Sequence, residues 1–232
     1  MKALVVIPAY NEEACLERVV TGLVKCCPGL DFVVVNDGST DGTATLCRRC
    51  GFPLLDLATN LGLAGAVVTG MKYAYEQGYD AVVQFDSDGQ HRSEYIPKLL
   101  DTLYDPKEDC AIVCGSRFLG GKRLRGFRGL GSAFIKAAIR LTTGATLTDP
   151  TSGQRAYGQR MIERFATSIN MTPEPDTISY LIRSGAHVRE IPVVMDERIS
   201  GESYLNPLAA TKYMLRMSIS ILFVQFFRKK SL

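Results

Sequence analysis

The sequence lacks any strong excess of charge: 27 Lys and Arg stand against 24 Asp and Glu, a formal net charge of +3. Charge therefore gives no reason to expect nucleic acid as a partner. It also lacks the run of about 20 predominantly apolar residues that a membrane-spanning helix requires. The strongest apolar stretch, 217–227, is only eleven residues long. No secretory signal is read where Met1-Lys2 leads into a strand-like stretch ending at Pro8, and the seven cysteines are an odd number. A cytoplasmic protein is expected.

Other absences narrow the chemistry. The first strand-like run is not followed by a Gly-x-Gly-x-x-Gly turn, which argues against a nicotinamide dehydrogenase. Asn60-Leu61-Gly62-Leu63-Ala64-Gly65-Ala66 matches neither that fingerprint nor the phosphate-cradling Walker pattern. Close packing of a helix on a sheet explains its small residues equally well. Cys26-Cys27 and Cys47-Arg48-Arg49-Cys50 are loosely spaced for a four-thiolate zinc site, and reduced thiols on helix faces are expected instead.

What is present is an alternation of strands and helices. The chain of 232 residues, 46% hydrophobic and 22% charged, suits one large domain with a tail. Ala3-Leu4-Val5-Val6-Ile7, Phe32-Val33-Val34-Val35, Pro53-Leu54-Leu55-Asp56-Leu57, Ala81-Val82-Val83-Gln84-Phe85 and Ala111-Ile112-Val113-Cys114 are short β-rich runs. Most are continuously apolar, as parallel strands covered on both faces should be. Segments 12–26, 41–50, 63–77 and 94–104 have helical length, with Ser39-Thr40-Asp41 and Ser93 as helix starts. The fold class expected is α/β, a doubly wound and mostly parallel sheet with flanking helices. Residues 1–206 form the catalytic domain in this reading, and 207–232 a C-terminal amphipathic helix.

In such sheets ligands sit beyond the C-terminal strand ends, and the polar residues gather there. Asp86-Ser87-Asp88 closes an apolar strand with two carboxylates two residues apart, hence on one strand face. Like charges that close are costly unless a cation joins them, and magnesium or manganese shared with substrate phosphate meets that need. Asp37-Gly38-Ser39-Thr40-Asp41-Gly42 is a turn in which Asp37 can accept hydrogen bonds from a nucleobase or ribose.

Pro8-Ala9-Tyr10-Asn11-Glu12, Asn36-Asp37-Gly38-Ser39-Thr40-Asp41, Asn60-x-Gly62, Asp86-Ser87-Asp88-x-Gln90-His91, Gly115-Ser116-Arg117, Asp149-Pro150-Thr151-Ser152-Gly153 and Glu197-Arg198-x-x-Gly201-Glu202-Ser203 occur in this order. Together they resemble glycosyltransferase family 2, in particular its dolichyl-phosphate mannose synthase-like branch, over roughly residues 3–205. The resemblance implies a GT-A fold, a nucleotide-diphosphate sugar donor and inversion at the anomeric centre. It also implies a polyprenyl phosphate or other lipid-linked acceptor on the cytoplasmic membrane face, as in cell wall polysaccharide biosynthesis, and it leaves room for a homo-oligomer.

Residue by residue, the resemblance implies that Pro8, Ala9, Tyr10, Glu12, Asp37 and Ser87 bind the nucleotide-sugar. Asp86, Asp88 and Gln90 would hold the divalent metal, magnesium or manganese, on the diphosphate. Arg117 would meet phosphate at the reacting centre, and Arg198 and Ser203 would close over the diphosphate. Asp88, Arg117 and Asp149 are the catalytic candidates. A metal with guanidinium groups suits a leaving nucleoside diphosphate, and Arg suits bidentate phosphate contact. One departure is Gln154 before Arg155, where family members usually carry Phe or Met; it bears on the acceptor side.

Two acceptor chemistries remain. A phosphate monoester is largely dianionic at neutral pH, with a second pKa of about 6, and needs no base. A sugar hydroxyl on a lipid-linked or surface glycan needs a carboxylate base, for which Asp149, Glu174 and Asp176 are available, Asp149 first. A non-catalytic membrane adaptor on the same fold would tolerate loss of Asp37, Asp86, Asp88, Arg117 and Arg198, yet all are present. The segment 207–230 reads as one helix of about 36 Å. With Lys212, Arg216 and Arg228-Lys229-Lys230 around its apolar run, it is expected to lie in a membrane interface. The competing reading is a helix packed on the domain or on a second copy.

Overall fold

The computed structural model describes residues 2–119, 126–169, 171–197, 207–224 and 227. Seven strands form one sheet: β1 (Ala3–Ala9), β2 (Asp31–Asn36), β3 (Leu54–Asp56), β4 (Ala81–Gln84), β5 (Ile112–Ser116), β6 (Arg155–Gly158) and β7 (Val188–Pro192). Their order is β3-β2-β1-β4-β6-β5-β7. Every pairing is parallel except those of β6, which runs antiparallel between β4 and β5. The expected α/β, mostly parallel architecture is the one observed.

The helices are α1 (Leu16–Cys26), α2 (Thr43–Cys50), α3 (Gly62–Glu76), α4 (Ile96–Leu103), α5 (Gly126–Thr143), α6 (Gln159–Thr167), α7 (Pro175–Arg183) and α8 (Pro207–Ile219). Strand β1 shows why the layers form. All seven of its residues are buried, and they alternate between two cores. Leu4 and Val6 join Ala66, Val67 and Met71 of α3 on one face. Val5 and Ile7 join Leu16, Val20 and Leu23 of α1 on the other. A Cβ on Gly70 would lie 2.3 Å from Val6 Cγ1, so this glycine lets α3 sit directly on the strand. Packing thus accounts for Gly70 and for the fully buried Ala66 of that helix.

Three expectations need correction. Strand β4 ends at Gln84, and Asp86-Ser87-Asp88 lies in the following turn; strand alternation does not orient its carboxylates. Strands β6 and β7 were not read from the sequence. Neither is an apolar run: β6 opens on Arg155, and β7 carries Arg189 and Glu190. Finally, the tail is not one uninterrupted α-helix, because α8 gives way to a π-helical turn at Ser220–Val224.

The tail is docked along one side. Met217 and Ile221 are fully buried with Ile135, Ala138 and Ile139 of α5 and Ile178 of α7. The Ser220 hydroxyl donates to Asp176 Oδ2 at 2.6 Å. Among the described residues, no helix is long and apolar enough to cross a membrane.

Candidate active site at the C-terminal strand edge

The loops after β1, β2 and β4 meet because each strand is parallel to the next and ends at the same edge. They are sewn together by side chains bonding to backbone. Asn11, at φ 56°, accepts from Thr40 N at 2.8 Å, and its own N–H donates to Ser39 Oγ at 2.9 Å. Glu12 N–H donates to Thr43 Oγ1 at 2.9 Å. Asp37 is buried; its N–H reaches Ala9 O at 2.8 Å and its Oδ1 accepts from Leu61 N at 2.7 Å. Gly38, at φ +65°, lies so close to the third loop that a Cβ would sit 2.6 Å from the Thr59 carbonyl carbon. Asp41 accepts from Thr43 N at 3.0 Å, from the Thr43 hydroxyl at 2.5 Å and from Glu13 N at 3.2 Å. Burial would push this carboxyl up, but the hydrogen bonds outweigh it and hold the pKa below the usual value.

The turn after β4 is attached to the first loop. Ser87 Oγ donates to Pro8 O at 2.8 Å. The buried Cys15 thiol lies 2.7 Å from Glu12 Oε2 and 3.1 Å from Ser87 O. Neither Cys15 nor His91 was assigned a role from the sequence. His91 Nδ1 accepts from Asp86 N at 2.9 Å, which leaves Nε2 to carry the proton and face Asp86 Oδ2 at 3.5 Å. Asp88 is buried and its Oδ1 accepts from Gln90 N at 3.0 Å. Gln90 also exchanges backbone contact with Asp196, whose N–H donates to Gln90 O at 2.9 Å, while Arg92 Nε holds the Asp196 carboxylate at 2.9 Å. The segment leading to Arg198 and Ser203 is thereby anchored beside the Asp86–Asp88 turn. Arg198 and Ser203 themselves lie outside the described residues, as does the basic cluster 228–230.

The acceptor-side candidates come together across a long sequence gap. Arg117, just past β5, grips Asp149 through Nε at 2.6 Å and Nη2 at 2.8 Å, with its backbone N–H at 3.2 Å. Asp149 is wholly buried while the Arg117 side chain keeps 33% exposure, so the charged end of the pair that can meet a ligand is the guanidinium. Behind them stands Glu190 of β7. It accepts from Thr148 N at 2.7 Å, from the Thr148 hydroxyl at 2.9 Å and from Asp149 N at 2.7 Å. Glu190 was not singled out by sequence, because its partners are some forty residues away. The same loop touches the carboxylate turn: a Cβ on Gly153 would lie 2.5 Å from Asp86 Oδ2.

The other two candidate bases sit elsewhere. Asp176 accepts from Thr177 N at 2.8 Å and from Ser220, and Glu174 accepts from Thr172 Oγ1 at 3.2 Å. Among the described residues no three of His, Cys, Asp and Glu gather as a metal-binding cluster. The thiols of Cys27 and Cys47 are each pushed up to about 11, in the first place by burial.

Comparison with known proteins bears on this arrangement. A family model described as glycosyl transferase family 2 matches residues 4–166. The chain is 30% identical over 218 residues to polyprenol monophosphomannose synthase of Mycolicibacterium smegmatis, covering 88% of this chain and 81% of that protein. It is 33% identical over 218 residues to undecaprenyl-phosphate mannosyltransferase of Micrococcus luteus, covering 89% and 88%. Among solved structures, glucosyl-3-phosphoglycerate synthase from Mycobacterium tuberculosis in complex with Mn2+ and uridine-diphosphate-glucose superposes with a TM-score of 0.72 at 22% identity, covering 95% of this chain and 79% of that one. The shared architecture is the GT-A fold.

Proposed function

The chain belongs to glycosyl transferase family 2, and from that premise we propose that it transfers a hexose from a nucleotide-diphosphate sugar to a polyprenyl phosphate, with inversion, at the cytoplasmic face of a membrane. The observation that carries the choice of acceptor is the engagement of the first of the three candidate bases by Arg117. Asp149 is bonded through both oxygens to Arg117, Asp176 to Ser220 and Thr177, and Glu174 to Thr172. A sugar hydroxyl activated beside Arg117 would need Asp149 to give up the guanidinium before taking a proton. A phosphate oxygen needs no base. The two named relatives, whose products are polyprenyl-linked by name, support the same reading.

The residues that would hold a divalent ion are Asp86 and Asp88, with Gln90 beside them. The site fits magnesium or manganese. Its donors are oxygens, the Asp86 carboxylate meets a 3.4 Å contact from Gln84 and the 3.5 Å approach of His91 among the described residues, and Gly153 leaves room where a side chain would press on Asp86 Oδ2. When bound, such an ion neutralises charge growing on the departing nucleoside diphosphate. The chain's own groups do the rest. Pro8, Ala9, Tyr10, Glu12 and Asp37 surround the nucleoside, and Ser87 fixes the turn against the first loop. Arg117, oriented by Asp149, draws the acceptor phosphate to the anomeric carbon; there an oxygen of that phosphate forms the new bond as the bond to the diphosphate breaks. We assign Asp149 to positioning rather than proton removal. Arg198 and Ser203 are proposed to cover the diphosphate.

The test is direct. The purified protein, given manganese and a panel of nucleotide sugars, is offered undecaprenyl phosphate in detergent or a free glycan. Release of nucleoside diphosphate together with an acid-labile lipid-linked sugar is expected. Transfer to glycan hydroxyls with none to the lipid phosphate would overturn the acceptor assignment.

A further inference from the structure

His91 has no part in the reaction as described, yet it is built into the wall behind the carboxylate turn. Its side chain keeps only 3% exposure. The ring is tilted against Phe85 at 5.7 Å between centroids, and a Cβ on Gly153 would lie 3.2 Å from its Cε1. Gly89, at φ +78°, helps to turn the chain so that a residue five positions beyond Asp86 comes back to it. The backbone directly after the ring is pinned as well, because Gln154 Nε2 donates to Arg92 O at 3.0 Å. Gln154, in the sequence a departure bearing on the acceptor side, thus braces the carboxylate turn from the neighbouring loop.

The two ring nitrogens do different things. Nδ1 accepts from Asp86 N at 2.9 Å, which needs its lone pair. A neutral imidazole has one accepting and one donating nitrogen, so the proton is on Nε2, which faces Asp86 Oδ2 at 3.5 Å. A protonated Nε2 has no lone pair to offer an ion, and His91 is therefore not a ligand. The approach is also long for a hydrogen bond. Its N–H directs the carboxylate rather than binding it firmly, and Gln84 Nε2, 3.4 Å from Oδ1, acts on the other oxygen. The Asp86 side chain is 24% exposed, so these donors bias a group that is partly open to water.

We propose that His91 is a positioning residue for the divalent ion: Nδ1 fixes the backbone of Asp86, and Nε2–H aims its carboxylate so that the oxygens meet the ion in one orientation. Resting on the metal reading above, this role extends it from the ligands to the group behind them. Carboxylates that hold a metal depend on the hydrogen bonds around them, and losing such a partner costs about 10–100-fold in metal affinity or activity. Gly153 adds a consequence. Its lack of a Cβ lets the loop that carries Asp149 lie directly against both Asp86 and His91, so the ion's carboxylate and the acceptor side share one wall.

Two substitutions separate the nitrogens. In His91→Asn the side-chain oxygen takes the place of Nδ1 and nothing replaces Nε2. In His91→Gln the amide reaches the place of Nε2 and donates from there, while the Nδ1 acceptor is lost. Mn2+ is titrated into each full-length protein, alone and with GDP or UDP. Bound ion is read by electron paramagnetic resonance, and the melting temperature is taken separately in chelator. His91→Asn should melt close to the parent in chelator yet bind Mn2+ about tenfold or more weakly. His91→Gln should melt lower yet bind Mn2+ within about threefold of the parent. The opposite order, with Mn2+ affinity following the melting temperature, makes His91 a support of the turn alone and overturns the proposal. A spin-echo signal from nitrogen bound directly to Mn2+ overturns it too, since His91 would then be a ligand. If the Gln variant does not fold, the Asn variant decides, because parent-like Mn2+ affinity in it is equally fatal. A parent that binds no Mn2+ with either nucleotide sinks the metal reading itself; a parent that binds it no better than both variants sinks only the role of His91.

Discussion

The two halves of the proposed site, donor and acceptor, are built on opposite plans. On the donor side, three loops after parallel strands are bound to one another by short side-chain hydrogen bonds through Asn11, Asp37, Asp41, Ser87 and Cys15. Little there has to move to form a pocket. On the acceptor side, one guanidinium stands on a buried carboxylate, itself held by a second carboxylate from an edge strand, and the neighbouring helices show apolar faces to solvent. A water-soluble, highly charged donor rewards a rigid polar cradle. A lipid acceptor asks for a charge at the right depth beside an open apolar wall. On the proposed assignment, the contrast teaches that preorganisation lies where the ligand would arrive from water.

The contrast can be broken at several points. The largest effect is expected at Asp88→Asn, which should lower turnover by about a thousandfold or more, since a phosphate-neutralising ion is worth several kcal/mol. The amide oxygen still accepts from Gln90 N, so the fold should be retained, while the manganese-dependent stabilisation by nucleotide should vanish. Full activity in excess chelator would sink the metal assignment.

Next come the acceptor-side pair. Arg117→Ala strands a wholly buried carboxylate, and should cost about 3–5 kcal/mol of stability along with most of the activity. Asp149→Asn should leave a folded enzyme slower by about a hundredfold, through loss of the guanidinium's orientation. If instead Arg117→Ala turned over almost normally and Asp149→Asn did not, proton removal would replace charge placement as the mechanism. Glu190→Gln sharpens the same comparison. All three of its partners are donors, so an amide nitrogen must face at least one of them. The KM for acceptor should rise about tenfold with the donor KM unchanged, and an equal rise in both would mark Glu190 as merely structural.

On the donor side, Gly38→Ala places a Cβ against the Thr59–Asn60 backbone at a positive φ and should destabilise by about 1–3 kcal/mol, read by urea melts, with weaker nucleotide binding. The smallest effect belongs to Asp41. Its carboxyl pKa is depressed in the folded state, so its contribution is present above the unfolded value of about 3.9 and is lost as pH falls through the folded one. Asp41→Asn should therefore lower the melting temperature slightly at neutral pH, with the gap closing in acid. A gap that widened in acid would contradict the hydrogen-bonding account.

Much of the donor half was legible in the amino-acid order. Strands β1, β2, β4 and β5 are short, nearly continuous apolar runs, because a parallel strand covered on both faces must be apolar at every position. Each ends in turn residues that a strand or helix interior would not favour, so Pro8 to Glu12, Asp37 to Asp41 and Asp86 to His91 could be assigned to one edge before any coordinates. That information is local. What the tertiary structure alone decided is the choice of partners across long separations. Strand β6 exists because β4 and β5 flank it, although it carries a buried Arg155 and no apolar run. In the sequence Asp149 offers itself as a base or a structural carboxylate; the structure sets Arg117, 32 residues away, on both of its oxygens. Asp176 became a tether for the tail through Ser220, 44 residues on. Composition and periodicity record whether a residue is buried and which way its neighbours alternate; they do not record which distant polar group meets it, because that meeting is set by how the elements pack.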